Sequence, residues 1–158
     1  MSDSTGYAAL FGLIMSFAVV FIVIGIVLYV FTALALYTMA KNKGIEYAWL
    51  AWIPVANGYV MGEVMDDKVA IGSSVIPYAK WILLLGSIVT GLLAMIPYIG
   101  WIFSILYLVY YYCAVYRLYK LYKPDNAVLY LVLSIIFGIT MPFFMFSMRN
   151  NTPQEYLN

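Results

Sequence analysis

Three carboxylates fall close together at Glu63, Asp66 and Asp67, with Lys68 directly after them. Oxygen ligands grouped at such a spacing can share a hydrated magnesium or calcium ion, and the chemistry would be a metal-dependent reaction on a lipid substrate. A diphosphate needs a second acidic cluster to hold its other end, and the chain offers none, so a solvated loop is the simpler account of these charges. Tyrosines form the second group: Tyr107, Tyr110, Tyr111, Tyr112 and Tyr116, continuing to Tyr119 and Tyr122. Tyr112, Tyr116 and Tyr119 share one helical face, and Tyr107 and Tyr111 another. A phenol buried in hydrocarbon needs a partner. These rings are therefore expected either to serve as belt and packing aromatics or, with Asn57, to line a pocket for a lipid headgroup, an aromatic ligand or a peptide through Tyr107, Tyr111, Tyr112 and Tyr116. Arg117, Lys120 and Lys123 recur every third residue, a basic helical end suited to the anionic headgroups of an inner leaflet.

Other chemistry is excluded by composition. The chain has no histidine, which removes the commonest catalytic base and the commonest transition-metal ligand together. Cys113 is the single cysteine, so neither an intramolecular disulfide nor a cysteine metal cage can form, and its expected role is packing. A net charge of +1 does not supply the clustered bases that nucleic acid demands. No cofactor is implied.

The elements that position these residues are apolar. With 66% hydrophobic and 9% charged residues, against about 25% charged in soluble domains, the chain reads as an integral membrane protein, a single domain over 1–158. Residues 81–116 carry no formal charge, enough for two crossings of about 20 residues each, folded back at Ile96-Pro97-Tyr98-Ile99-Gly100. Residues 4–40 are also uncharged and hold a first helix from about Ala8 to Met39 with small residues at Gly12, Ser16, Gly25, Ala33 and Ala35, expected to pack within the chain in preference to forming a dimer face. The segment 45–62 is too short to span, is interrupted by Pro54, and is expected to be re-entrant or interfacial, with Tyr47, Trp49, Trp52 and Tyr59 at headgroup level. Residues 69–79 read as a loop or short surface segment. The expected fold is all-α, with four transmembrane helices at about 8–40, 81–96, 100–118 and 127–148. Ser87 with Gly91 and Ser134 with Gly138 would give close-packing faces, and Pro142 a kink in the last helix.

Orientation follows from the basic residues, which collect on the cytoplasmic side. Lys41, Lys43, Lys68, Lys80, Arg117, Lys120 and Lys123 fall inside on this scheme, and Arg149 alone falls outside. Both termini are then outside.

At Trp49, Ile53, Pro54, Asn57 and Tyr59 the chain resembles an uncharacterised family of small bacterial multi-pass membrane proteins with the pattern W-x-x-x-I-P-x-x-N-x-Y. The resemblance continues through Trp81-Ile82-Leu83-Leu84-Leu85, a second I-P segment at Ile96-Pro97, the basic stretch from Arg117 to Lys123, and Met141-Pro142-Phe143-Phe144. Gly100 stands where the family pattern has a second Asn. The resemblance implies a protein of the bacterial cytoplasmic membrane with an envelope role. The reading that fits best is a non-enzymatic membrane protein that binds other membrane proteins or lipids within the bilayer, as an accessory or oligomeric subunit. The rivals are a small transporter or channel, and a metal-dependent enzyme on a lipid using Glu63, Asp66 and Asp67.

Overall fold

The computed structural model describes residues 2–96 and 98–154, with side chains from Gly6 onward; Pro97, in the expected hairpin turn, lies outside the described residues. Helix α1 (Ser2–Asn42) has neither proline nor an interior charge beyond its first residues, and apolar side chains surround it on every side. At about 1.5 Å per residue it is roughly 62 Å long. A 3-10 turn (Ala48–Trp52) and α2 (Asn57–Val64) follow. Next come a two-stranded antiparallel hairpin, β1 (Lys68–Ile71) with β2 (Ser74–Pro77), and the helices α3 (Ala79–Leu93) and α4 (Ile99–Tyr122). A 3-10 turn (Pro124–Asn126), α5 (Ala127–Ile136) and α6 (Thr140–Ser147) complete the chain.

The core sits at one end of the molecule. Ala35, Leu36, Met39 and Ala40 of α1 meet Val60 and Val64 of α2, Val69 of β1, Val115 and Leu118 of α4, and Met145 and Met148 at the end of α6, all buried. We call this packed end the head. From it α1 projects through residues 6–27 with its large apolar side chains exposed. The α3–α4 hairpin projects likewise, exposing Leu85, Leu92, Trp101 and Leu106. Two helices, Gly6–Asn42 and Ile99–Tyr122, are long and apolar enough to cross a membrane.

Four such helices are not present among the described residues. The expected span 81–96 is α3, of 15 residues, about 22 Å long against a hydrocarbon core of about 30 Å. The expected span 127–148 is broken into α5 and α6. Pro142 dictates the break: it has no N–H to give the carbonyl of Gly138, so it is tolerated only in the first turn of a helix, and α6 accordingly starts at Thr140. The Thr140 hydroxyl lies 2.8 Å from the Phe137 carbonyl and 3.1 Å from the Leu133 carbonyl, reinforcing acceptors that already take the backbone N–H groups of Thr140 and Phe137. Expected as a kink, the proline sets a reversal instead.

That reversal brings the C-terminal side back to the packed end. Helix α6 returns along α1, with Phe31 against Phe143 and Phe146 at ring separations of 5.1 and 4.8 Å. Asn42 donates to the Arg149 carbonyl at 3.4 Å, and Asn151 to the Tyr122 carbonyl at 3.0 Å. The Gln154 amide reaches the Leu121 carbonyl at 2.7 Å. Arg149 therefore lies at the head with the other bases, and all eight Lys and Arg residues share that end.

Residues 69–79, expected as a loop or short surface segment, are largely the β-hairpin. Its two-residue connection, Gly72-Ser73, opens on Gly72 at φ 62°, the left-handed first position that a type II′ turn requires.

Candidate functional site

The acidic cluster is organised by lysines from distant parts of the chain. Lys43, just beyond α1, pairs with Asp66 and donates to the Val64 carbonyl at 2.9 Å. Lys80, in the first turn of α3, donates to Glu63 at 2.8 Å and stands 3.8 Å from Asp67. The Asp67 carboxylate also accepts the Lys80 backbone N–H at 2.8 Å, and its carbonyl accepts the Ala79 N–H. It thus caps α3 from outside the helix, where free N–H groups and the positive dipole end favour an anion. Asp66 and Asp67 both hold left-handed backbone, φ 60° and 55°, and the turn they make delivers both carboxylates to these partners. A β-carbon on Gly62 would overlap the Lys80 backbone, so glycine is what lets α2 cross the start of α3. Rather than converging on a shared ion, the three carboxylates pin α1, α2 and α3 together. Among the described residues no group of three His, Cys, Asp or Glu side chains is placed to hold a metal. The Lys80 ammonium is pushed above its ordinary range, chiefly by its hydrogen bond to Glu63.

Of the tyrosines expected to line a pocket, Tyr107, Tyr111 and Tyr112 keep successive ring contacts at 6.4 and 6.1 Å, while the Tyr107 and Tyr111 hydroxyls turn to different neighbours. Tyr107 turns to α3, donating to the Leu83 carbonyl at 3.0 Å, and Gly86 leaves the space its ring occupies. Tyr111 turns towards α6, its hydroxyl 3.9 Å from the Met141 sulfur, and Tyr112 sets its ring edge-on to Tyr111. Tyr116 packs against the core. Asn57 begins α2, its amide bonded to the Ile53 carbonyl at 2.9 Å, beside Gly58, which closely approaches the Leu83 backbone. Tyr119, further along α4, shares a hydrogen bond of 2.9 Å with Ser134, so the Ser134 face receives a hydroxyl rather than a close helix.

Of the three expected headgroup contacts, Arg117 does not serve. It is 6% exposed, and its Nε donates to the Met65 carbonyl at 3.2 Å. The last turns of α4 are enclosed by the head, and position 117 faces the turn after α2. Lys120 is exposed, and Lys123 stands 5.8 Å over the Tyr130 ring.

A groove of about 470 Å³ runs between α3 and α4, lined by Trp81, Leu85, Val89, Phe103, Leu106 and Tyr107 among others. Tyr110 also borders it, and its buried hydroxyl has no hydrogen-bond partner among the described residues. The sequence reading named Tyr110 among the clustered tyrosines but not as a pocket residue, and passed over Gly86. The small residues it singled out, Ser87 and Gly91, do other things: Ser87 bonds back to the Leu84 carbonyl of its own helix, and Gly91 meets nothing within 4 Å. A signal was available in the opposed pair Gly86 and Tyr107, a missing side chain facing a large ring.

Along α1 the small residues also divide. Ala33 and Ala35 are fully buried in the head. Gly12 and Gly25 face open space, and Ser16 donates to the Gly12 carbonyl in its own helix at 2.8 Å. The expected packing within the chain holds for the alanines and fails for Gly12, Ser16 and Gly25. Comparison with protein-family models, curated proteins and solved structures finds no match to this chain.

Proposed function

We propose that this chain is a multi-pass protein of the bacterial cytoplasmic membrane, of the small-protein family its W-x-x-x-I-P-x-x-N-x-Y segment resembles. It acts without catalysis, by binding other membrane components within the bilayer as an accessory or oligomeric subunit. The head, with all eight basic residues, faces the cytoplasm, the N-terminus lies outside, and the C-terminal side lies inside with the head. Helix α1 crosses once, the α3–α4 hairpin passes out and back with the residues after α3 completing its outward leg, and α5 and α6 enter and return.

One observation carries the reading. Residues 6–27 of α1 amount to a full span, about 33 Å, yet their apolar side chains are exposed all round, while the same helix is firmly packed from Ala33 onward. A helix anchored at one end and uncovered along its span presents Gly12 and Ser16, at a spacing of four, to whatever lies beside it in the membrane. Small residues at that spacing allow close approach of another helix.

A photo-reactive residue at Phe17, beside that face, tests the proposal in native membranes. A discrete adduct with one membrane protein, or with a second copy, is expected, and Gly12→Ile/Ser16→Ile should abolish it. Labelling of lipid alone in both the parent and the double variant would remove the accessory-subunit reading.

A further inference from the structure

Of the eight bases at the head, three are committed within the protein: Lys43 and Lys80 to the acidic turn, and Arg117 to the Met65 carbonyl. Among the described residues, none of the other five, Lys41, Lys68, Lys120, Lys123 and Arg149, lies within ion-pair distance of a carboxylate. Three of them share a second property. Lys41 stands 5.9 Å over the Tyr37 ring and Lys123 5.8 Å over Tyr130. The Arg149 guanidinium lies 3.6 Å over Phe146, whose carbonyl also accepts from Arg149 Nη1 at 2.9 Å. A cation over an aromatic face is attracted to it, and all three rings are themselves packed against the core.

The C-terminal side of the chain brings these bases together. Asn42, next to Lys41, donates to the Arg149 carbonyl; Asn151, two residues beyond Arg149, donates to the Tyr122 carbonyl, next to Lys123. The ends of α1, α6 and α4 therefore place Lys41, Arg149 and Lys123 along one rim. Asp125 and Glu46, the described carboxylates nearest in sequence, are outnumbered there once exposed Lys120 is included. We propose that this rim binds the phosphate of an anionic phospholipid in the cytoplasmic leaflet.

The pairing of base with ring selects the occupant. Tyrosine rings favour the boundary between hydrocarbon and headgroup, and a base resting on such a ring is held where lipid phosphates lie. Fixing the side chain beforehand spares rotamer freedom that it would otherwise lose on binding. An acidic protein segment would meet the same charges but has no reason to meet them at hydrocarbon depth. Lys68 makes the contrast: it has no ring contact and directly follows Asp66 and Asp67, which offset its charge.

The inference rests on the cytoplasmic placement of the head proposed above and is independent of any partner on α1. The full chain, purified in a mild nonionic detergent, is mixed with equal amounts of phosphatidylglycerol and phosphatidylcholine of the same acyl chains. Native mass spectrometry then counts each lipid retained. A preference for phosphatidylglycerol of about fivefold or more is expected, since one base near an anionic surface is worth about that much. Lys41→Gln/Lys123→Gln/Arg149→Gln should bring the ratio to about one. Lys123→Gln alone should lower the ratio, whereas Lys68→Gln, an equal loss of charge away from the rim, should leave it unchanged. Equal retention of the two lipids by the parent would overturn the proposal and leave the rim to an acidic protein segment. Equal falls in Lys123→Gln and Lys68→Gln would overturn it too, because net charge alone would then set the preference. A chain that retains neither lipid would overturn it together with the membrane placement itself.

Discussion

Replacing Asp67 by alanine and by asparagine separates its two duties. Its carboxylate caps α3 through the Lys80 N–H and stands 3.8 Å from the Lys80 ammonium. Asparagine keeps an oxygen for the cap, whereas alanine does not. Asp67→Ala should therefore lower stability by about 1 kcal/mol, the usual value of a helix cap, and Asp67→Asn by much less, read as melting in detergent micelles. Equal losses would mean that charge rather than the cap matters. Gly62→Ala should be worse than either, since the new β-carbon meets Lys80 backbone that cannot swing aside; a loss of about 1–3 kcal/mol is expected. The Lys80–Glu63 bond has its own pH signature. Because the bond raises the ammonium above its ordinary 10.5, its contribution is complete below pH 10.5 and is lost as pH rises beyond the raised value. A melting temperature that falls between pH 10 and 12 in the parent but less so in Lys80→Met checks this. The sequence showed these residues and concealed their partners. Glu63, Asp66 and Asp67 stand out as a cluster, but the lysines that engage them lie 17 and 23 residues away. Nothing local in the chain reveals that α1 and α3 return to the same turn.

At the scale of elements, length decided what was legible. Helices α1 and α4 have uncharged runs long enough that hydropathy alone identifies them. The run at 127–148 looks equally continuous because hydropathy does not register a missing N–H, and there the backbone chemistry of Pro142 prevails over apolar composition. The β-hairpin was likewise hidden in a segment judged by its glycine, serine and proline, although Val69, Ile71, Val75 and Ile76 flank a Gly-Ser pair, the pattern of a tight hairpin. The break at 137–139 can be tested by removing its cause. In Gly138→Ala/Pro142→Ala, residues 127–148 can form one helix of about 33 Å, enough to cross. A cysteine placed at Asn151, with Cys113→Ala to clear the background, should react with a membrane-impermeant thiol reagent only from the cytoplasmic side in the parent. In the double variant a fraction should react from outside. Outside labelling in the parent would instead restore the four-span arrangement.

For the whole molecule, the separation of packed head from uncovered spans shapes what mutations can do. Substitutions in the head alter stability. Substitutions at Gly12 or Ser16, whose surroundings within the chain are empty, should leave the melting temperature of the isolated chain within about 1 °C, because surface changes that touch nothing cost little. They should still disrupt association in the membrane, a separation that thermal melting and crosslinking read independently. The head also sets a timetable for synthesis. Its core begins with Ala35 and Leu36 and is finished by Met145 and Met148, over which Asn151 and Gln154 bond to the end of α4. At about 5–20 residues per second, the ribosome delivers those last pieces on the order of 10 s after the first. Throughout that interval α1 is already made while the core that will hold it is incomplete. Under the proposed function, a neighbour recruited by the uncovered span would be in place before the protein that recruits it has finished folding.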